Sequence, residues 1–470
     1  MGLRDYFSKS VETVVPAASE RLRLSGKRTR IPYQGRPFEV QMGRQRLQIH
    51  AEPSLVAGHG PPAFMLFDPD RYFSGIGHFL RLEPGAKLAI DYRQPDQRPV
   101  FGHPREAFRR HLQLSHEGDA LVFRDPISEL GTYVSLLYDP RDAARLALRR
   151  RRALRRIGEI LGRPIQPEDP KQALRRLREI NAALRDEPYR RKDCEGNPGA
   201  LLELPAGLTP ILVGDLHAQV DNLLRILTEP AYLEALEGGE AALVFLGDAI
   251  HSELPGELER MDSSLLIMDL IFRLKSWFPS RVFFLVGNHD GFSLEVMKAG
   301  VPQSMLWDKY VCATRGEEYR DQLALFYQQS PLVVTTEDFV ACHAGPARAK
   351  ISREILVNAR QSPNIVHELT WNRVQTPGFP SGYLRGDVRR FRKSLGLGDE
   401  APFIVGHYPF SMEGTVWRDV ANIPGHHIVY SARSELVAVF TRVGGEMLPQ
   451  IYPAEPLTAW INADPEPAFP

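Results

Sequence analysis

Seven polar residues stand where short apolar runs end. Asp215 and His217 follow "TPILVG", Asp248 follows "ALVFLG", and Asn288 and His289 follow "RVFFLVG"; His343 follows "DFVAC" and His407 follows "PFIVG". Taken singly, each has an ordinary role: an Asp after Gly caps a turn or helix, and a lone His is commonly a hydrogen-bonded loop residue. Gathered at one edge of a sheet, two carboxylates and several imidazoles carry an electrostatic cost that a bound cation removes. Imidazole with carboxylate, and no thiolate at these positions, suits Mn, Fe or Zn better than Ca or Cu(I). A carboxylate can bridge two such ions, so the set is suited to a dinuclear site.

The elements that would position these residues are legible around them. From about 200 to 455, apolar runs alternate with helical stretches, and each run ends in a Gly-bounded polar cluster. Continuous apolar runs read as strands buried on both faces, and polar residues at their C-terminal ends read as a site. From roughly 45 to 138, "FLRLEPG", "KLAIDYR", "HLQLSHEGD", "ALVFRD" and "GTYVSLL" read as short strands separated by Gly, Pro and Asp breaks, the pattern of a β-sandwich. Between them, Leu146, Leu154, Ile157 and Leu161 fall on one helical stripe stopped by Gly162 and Pro164. Leu174, Leu177, Ile180 and Leu184 fall on a second stripe. The arginine-rich faces of these two helices read as solvated linker surface in preference to a nucleic-acid face.

A length of 470 residues, 43% of them apolar, is enough for two domains with cores. With 58 basic and 58 acidic residues there is no net field that would favour nucleic acid or an anionic membrane. The three cysteines lack CxxC spacing, which fits a reducing compartment. "MGLRDYFSKS" has no apolar h-region, Tyr6 replaces the Ser or Thr of a myristoylation signal, and no run is long enough to span a bilayer. The expectation is a cytoplasmic protein.

The motifs "GDLHAQVDNLLRIL", "FLGDAIHSE", "LVGNHD", "ACHAGPA" and "IVGHYPF" occur in the order of the calcineurin-like metallophosphoesterase superfamily. Within it the chain resembles the phosphoprotein phosphatase branch. That resemblance covers about residues 200–455 and implies an α/β fold of four layers, a β-sandwich flanked by helices. It implies two metal ions, Mn or else Fe or Zn. Asp215, His217 and Asp248 would hold the first; Asp248, Asn288, His343 and His407 would hold the second. His289 would be the catalytic histidine beside the leaving group and Arg385 a phosphate clamp. The implied function is phosphomonoester hydrolysis of the serine/threonine-phosphatase type, a metal-bridging hydroxide attacking phosphorus in line. The chain departs from the pattern at "GDAIHSE": His251 replaces the acid that would orient the catalytic histidine, and Ser252 an arginine. Three roles stay open for His251: partner of His289, contributor to substrate or metal binding, or neutral replacement. With the carboxylate lost, nothing nearby would favour the charged form of His289, and its pKa would be lowered. The closing loop reads "SARSELV", and Ala218 replaces a glycine. Two alternatives are carried: a nucleotide or nucleic-acid phosphoesterase, and a catalytically decayed phosphate-recognition scaffold.

The N-terminal strands resemble a forkhead-associated domain. Arg93 would match its first-loop arginine, His111 its structural histidine, and Ser128, Gly131 and Thr132 its last loop; Arg109 and Leu130 depart from its usual serine and asparagine. The expectation is a docking module, with Arg93, Arg109 and Ser128 as phosphopeptide contacts. The organisation expected is an arm at 1–44, the sandwich at 45–139, a basic helical linker at 140–196, the phosphoesterase at 197–458 and a tail at 459–470. Substrates would be a phosphorylated protein or a small phosphoester, with no membrane partner.

Overall fold

The computed structural model describes residues 11–17, 20–52, 61–106, 111–127, 131–137, 141–293, 296–349 and 351–463. Two compact units emerge, Met1–Arg152 with Val443–Gly445, and Ala153–Arg442 with Glu446–Pro470.

Alternation builds the first unit. Every second side chain of Arg28–Pro32 and Phe38–Met42 is buried, with Ile31, Phe38, Val40 and Met42 fully so. A five-stranded and a six-stranded sheet share one apolar core, Ile31, Leu114, Leu121 and Phe123 meeting Phe38, Val40, Leu47 and Phe64. All five stretches expected as strands contain one: Leu80–Leu82, Lys87–Ile90, Leu112–Glu117, Ala120–Arg124 and Thr132–Leu136. The arm expected at 1–44 is corrected for its described residues, since Val11–Thr13, Leu22–Arg23, Arg28–Pro32 and Phe38–Met42 are members of the two sheets. Its basic composition is one face of a strand: Arg28 and Arg30 pair with Glu117 and Asp119 while Thr29 and Ile31 turn inward.

The second unit is a pair of face-to-face sheets. Thr209–Val213, Ala241–Phe245 and Val282–Phe284 run parallel in a five-stranded sheet, Ile211 level with Leu243 and Val244 with Phe283. Val340–Cys342, Phe403–Val405 and His426–Val429 run parallel in a seven-stranded sheet. Leu201 and Leu202, neighbours in the strand Pro198–Glu203, enter different cores. Leu202 joins Leu212, Val244 and Phe440 between the sheets, and Leu201 joins Val388, Phe391 and Phe403 under the outer helices. Helices Pro230–Glu237 and Asp262–Trp277 cover the five-stranded sheet.

Both basic helices form. Arg141–Leu161 stops at Gly162, whose φ of 82° suits glycine, and buries Leu146, Leu154, Ile157 and Leu161. Pro170–Leu184 buries Leu177, Ile180 and Leu184 and packs on Asp262–Trp277 and Glu317–Gln329. The linker reading of 140–196 is therefore corrected from residue 153 onward: those helices are layers of the second unit. Arg176 and Arg178 are engaged with Glu168 and Glu318. The boundary placed at 458 falls inside the helix Leu457–Ala463, which buries Leu457 and Ile461 and donates Thr458 N–H to Asp221 at 2.7 Å.

Candidate metal centre

Each strand end delivers its residue through a tight loop. Non-glycine residues with positive φ cluster here: His217 (41°), Ala218 (60°), Asp248 (51°), His251 (67°) and His407 (73°). Such backbone persists only where surrounding bonds hold it, and it concentrates at functional sites. The bonds are visible. Asp215 Oδ1 accepts the His407 N–H at 2.9 Å, and Asp248 Oδ1 accepts the His289 N–H at 2.8 Å. Asp290 clips two loops, its Oδ2 accepting the N–H groups of Asp248 (2.7 Å) and Gly287 (2.8 Å). Two glycines make room: a Cβ at Gly406 would lie 2.1 Å from Asp215 Oδ1, and one at Gly287 2.1 Å from Asp248 Oδ1.

The remaining carboxylate oxygens explain what the site holds. Asp215 and Asp248 are fully buried, and Oδ2 of each has no hydrogen-bond partner. Imidazoles face them. His217 Nδ1 lies 3.3 and 3.2 Å from the carbonyls of Ile250 and His251, and His343 Nδ1 lies 2.9 Å from the carbonyl of Leu246. A carbonyl only accepts, so both Nδ1 atoms carry hydrogen. In a neutral ring each Nε2 then directs a lone pair at carboxylate: 3.7 Å from His217 to Asp215 Oδ2, 3.3 Å from His343 to Asp248 Oδ2. Asn288 Oδ1 lies 3.0 Å from His343 Nε2 and 2.8 Å from His407 Nδ1. Two donor groups result, Asp215–His217–Asp248 and Asp248–His343–His407, the atoms of each within 4.8 Å of one another and Asp248 common to both. Lone pairs opposed in a buried site need a cation between them, and this donor set fits two.

The carboxylates favour positive charge on the imidazoles that face them: against the lowering effect of burial, Glu253 and Asp248 raise His217, and Asp248 raises His343 to about 9. Burial pushes the Asp215 carboxyl up to about 7, with His343 and His217 pulling the other way. Burial lowers His289 to about 4, although Asp248 favours its charged form. Burial, reinforced by His289 and His217, holds His251 well below the ordinary histidine range. The pKa of His289 is lowered as expected, but the expected reason is corrected: burial is the main cause, and Asp248 and Glu253 do favour the charged form. His251 Nδ1 and His289 Nδ1 are 3.2 Å apart, one donating to the other.

The structure brings together all six residues expected as ligands, with His251 and His289 beside them. Arg385 is exposed at the start of the helix Arg385–Ser394. Ser252 donates its hydroxyl to Glu257 at 2.9 Å. Three neighbours escaped the sequence reading. Arg373 donates Nε–H to His407 Nε2 at 3.3 Å and stacks over the Tyr408 ring. Glu253 places Oε1 3.6 Å from His217 Nε2, and Tyr430 donates its hydroxyl to Glu253 Oε2 at 2.8 Å. Glu253 ends the quoted "FLGDAIHSE" and Tyr430 precedes "SARSELV", whereas Arg373 lies outside the quoted motifs; what singles out all three is spatial. In the first unit Arg93 is exposed, while Arg109 and Ser128 lie outside the described residues.

Among solved structures, a protein serine/threonine phosphatase from Saccharomyces cerevisiae with similarity to human phosphatase PP5 is similar at 15% identity and a TM-score of 0.47. The match covers 61% of this chain and 91% of that one. A cold-active protein-tyrosine phosphatase of a psychrophilic Shewanella species is similar at 14% identity and a TM-score of 0.38, covering 54% and 82%. At those scores nothing is carried over from either. The sequence itself matches a family: residues 208–431, which hold every candidate ligand, match the calcineurin-like phosphoesterases, and the chain is a metal-dependent phosphoesterase, a hydrolase.

Proposed function

We propose that the chain hydrolyses phosphomonoesters, with phosphoserine or phosphothreonine in proteins as the substrate class, at a dinuclear centre. Asp215, His217 and Asp248 hold one ion; Asp248, Asn288, His343 and His407 hold the other. Mn fits this donor set, with Fe or Zn as the other candidates. The observation that carries the reading is the pair of buried, unpartnered Oδ2 atoms on Asp215 and Asp248, each facing an imidazole whose other nitrogen is committed to a carbonyl.

Two bound ions supply orientation of the phosphate and acidification of water near neutral pH. The protein supplies the rest. The Asn288 amide and the Arg373 guanidinium stand at the second group, where negative charge on phosphate oxygens would be met. Arg373 therefore takes the clamp role expected of Arg385. His289, its Nδ1 engaged by His251, is left with Nε2 to pass a proton to the departing oxygen. His251 acts as its positioning partner in place of a carboxylate.

The first unit is read as a docking module of forkhead-associated type. Its support is the shared two-sheet core and the buried bond between His111 Nε2 and Thr132 Oγ1 (2.8 Å), the two residues matched to that domain's structural histidine and last loop. A cytoplasmic setting is supported by three free cysteines.

Initial rates with added Mn²⁺ test the reading on p-nitrophenyl phosphate, its diester analogue, a phosphothreonine peptide and a dinucleoside polyphosphate, with Asp248→Asn alongside. Fastest turnover of the peptide, lost in the variant, supports it. Preference for the diester or the nucleotide transfers the site to those substrates. No variant-sensitive turnover leaves a phosphate-binding scaffold.

A further inference from the structure

Glu253 stands where neither the metal-ligand motifs nor the catalytic histidine assigns a role. It is the last residue of the second strand-end motif, "GDAIHSE", and its carboxylate reaches the first donor group. His217 Nε2 lies 3.7 Å from Asp215 Oδ2 and 3.6 Å from Glu253 Oε1. Both separations are too long for a hydrogen bond. They are close to the spacing of two donors that share one cation, each about 2.1 Å from it. His217 thus has one carboxylate oxygen on each side, at nearly equal distance, and no donor to offer either while its hydrogen is on Nδ1.

What holds Glu253 back from that group is equally defined. Its Oε1 is paired with the Lys298 ammonium, and its Oε2 accepts the Tyr430 hydroxyl at 2.8 Å. Tyr430 is anchored through an isolated strand bridge to Asp215 itself, so this half of the grip moves with the site. Lys298 is different: its side chain is 44% exposed against 19% for Glu253, so water can take over its charge if it lets go. The ammonium and a metal ion compete for the same oxygen.

We propose that Glu253 is a further protein ligand of the first metal ion, and that this ion displaces Lys298 from the Glu253 carboxylate. The inference rests on the dinuclear reading of Asp215, His217 and Asp248, and adds a fourth side chain to that group. Loading the first ion breaks the Glu253–Lys298 ion pair and forms a bond from Glu253 Oε1 to the metal. The freed ammonium stays at the edge of the site, beside Glu253, and there it can meet a substrate phosphate oxygen.

The test is Mn²⁺ binding to the full chain, read by the free-ion electron paramagnetic resonance signal and by titration calorimetry, with no substrate present. Wild type should take up two ions, and Asp248→Asn should lose both high-affinity steps. Glu253→Gln should weaken one step by about tenfold or more and spare the other, the scale on which ligands and their immediate partners act. Lys298→Gln should tighten the same step, because the competitor is gone. Opposite signs for the two variants are the signature of competition, since a merely structural ion pair loses as much from either side. If Asp248→Asn loses binding while Glu253→Gln and Lys298→Gln both match wild type, or both weaken the step, Glu253 is not a ligand and the dinuclear reading stands. If wild type binds no Mn²⁺, that reading fails and takes this one with it. Should Glu253→Gln fold poorly, Lys298→Gln decides alone, its side chain being partly in water: tighter binding supports the proposal, unchanged or weaker binding overturns it.

Discussion

Asp248 is the residue on which the centre turns, because both donor groups use it. Asp248→Asn should lower kcat by at least about a hundredfold, given that even partners one step removed from a ligand cost 10- to 100-fold. The bound metal, measured by elemental analysis after gel filtration, should fall below one ion per chain. The two arginines offer a sharper comparison. Arg373→Ala should cost on the order of a hundredfold in kcat/KM, with Arg373→Lys recovering little, because a planar fork aimed at phosphate is not replaced by a point charge. Arg385→Ala, at an exposed position, should stay within a factor of two or so of wild type; the reverse ranking would return the clamp to Arg385. Residue identities at strand ends were legible from sequence because each ligand sits within a few positions of the apolar run that carries it. Arg373 was not, since it meets His407 across 34 residues of chain and only the fold shows the contact.

At the scale of elements, the loops that follow the strands hold the ligands by close approach. Gly406 shows it best, since a methyl there would lie 2.1 Å from Asp215 Oδ1, the oxygen that accepts the His407 N–H. Gly406→Ala should therefore cut Mn²⁺ affinity and turnover severely, while costing about 1–3 kcal/mol of stability by urea unfolding, the usual scale of overpacking. Equal stability with full activity would show that the carboxylate has slack. The helix Pro170–Leu184 separates stability from chemistry in the opposite sense. Leu177 is fully buried, and Leu177→Ala should cost about 3 kcal/mol while leaving kcat unchanged at temperatures where the variant stays folded. That helix was legible as a helix from its 3.6-residue stripe, but not as a layer of the enzyme, because an apolar stripe does not name what covers it. The strands of the first 44 residues were missed for a related reason. Arg28 and Arg30 make the run read as basic, and only their pairing with Glu117 and Asp119 shows that they are the outer face of a strand whose inner face is Thr29 and Ile31.

For the whole molecule, two units with separate cores should melt separately. The buried carboxylates of Asp215 and Asp248 lie in only one of them, and their unpartnered oxygens burden the folded state of that unit alone. A cation that binds the folded centre and not the unfolded chain stabilises it by mass action, about 2.7 kcal/mol at a hundredfold excess over Kd. Spread over a unit of this size, that raises its melting temperature by about 5 °C. Calorimetry with and without Mn²⁺ should then show two transitions, one fixed and one rising with the ion, and chelation should return the second to its starting point. Asp248→Asn should abolish the rise while keeping two transitions, its mobile one now insensitive to Mn²⁺. A single cooperative transition that moves as a whole would mean instead that the sandwich and the phosphoesterase unfold together, and that metal loading at the strand ends reaches the N-terminal core.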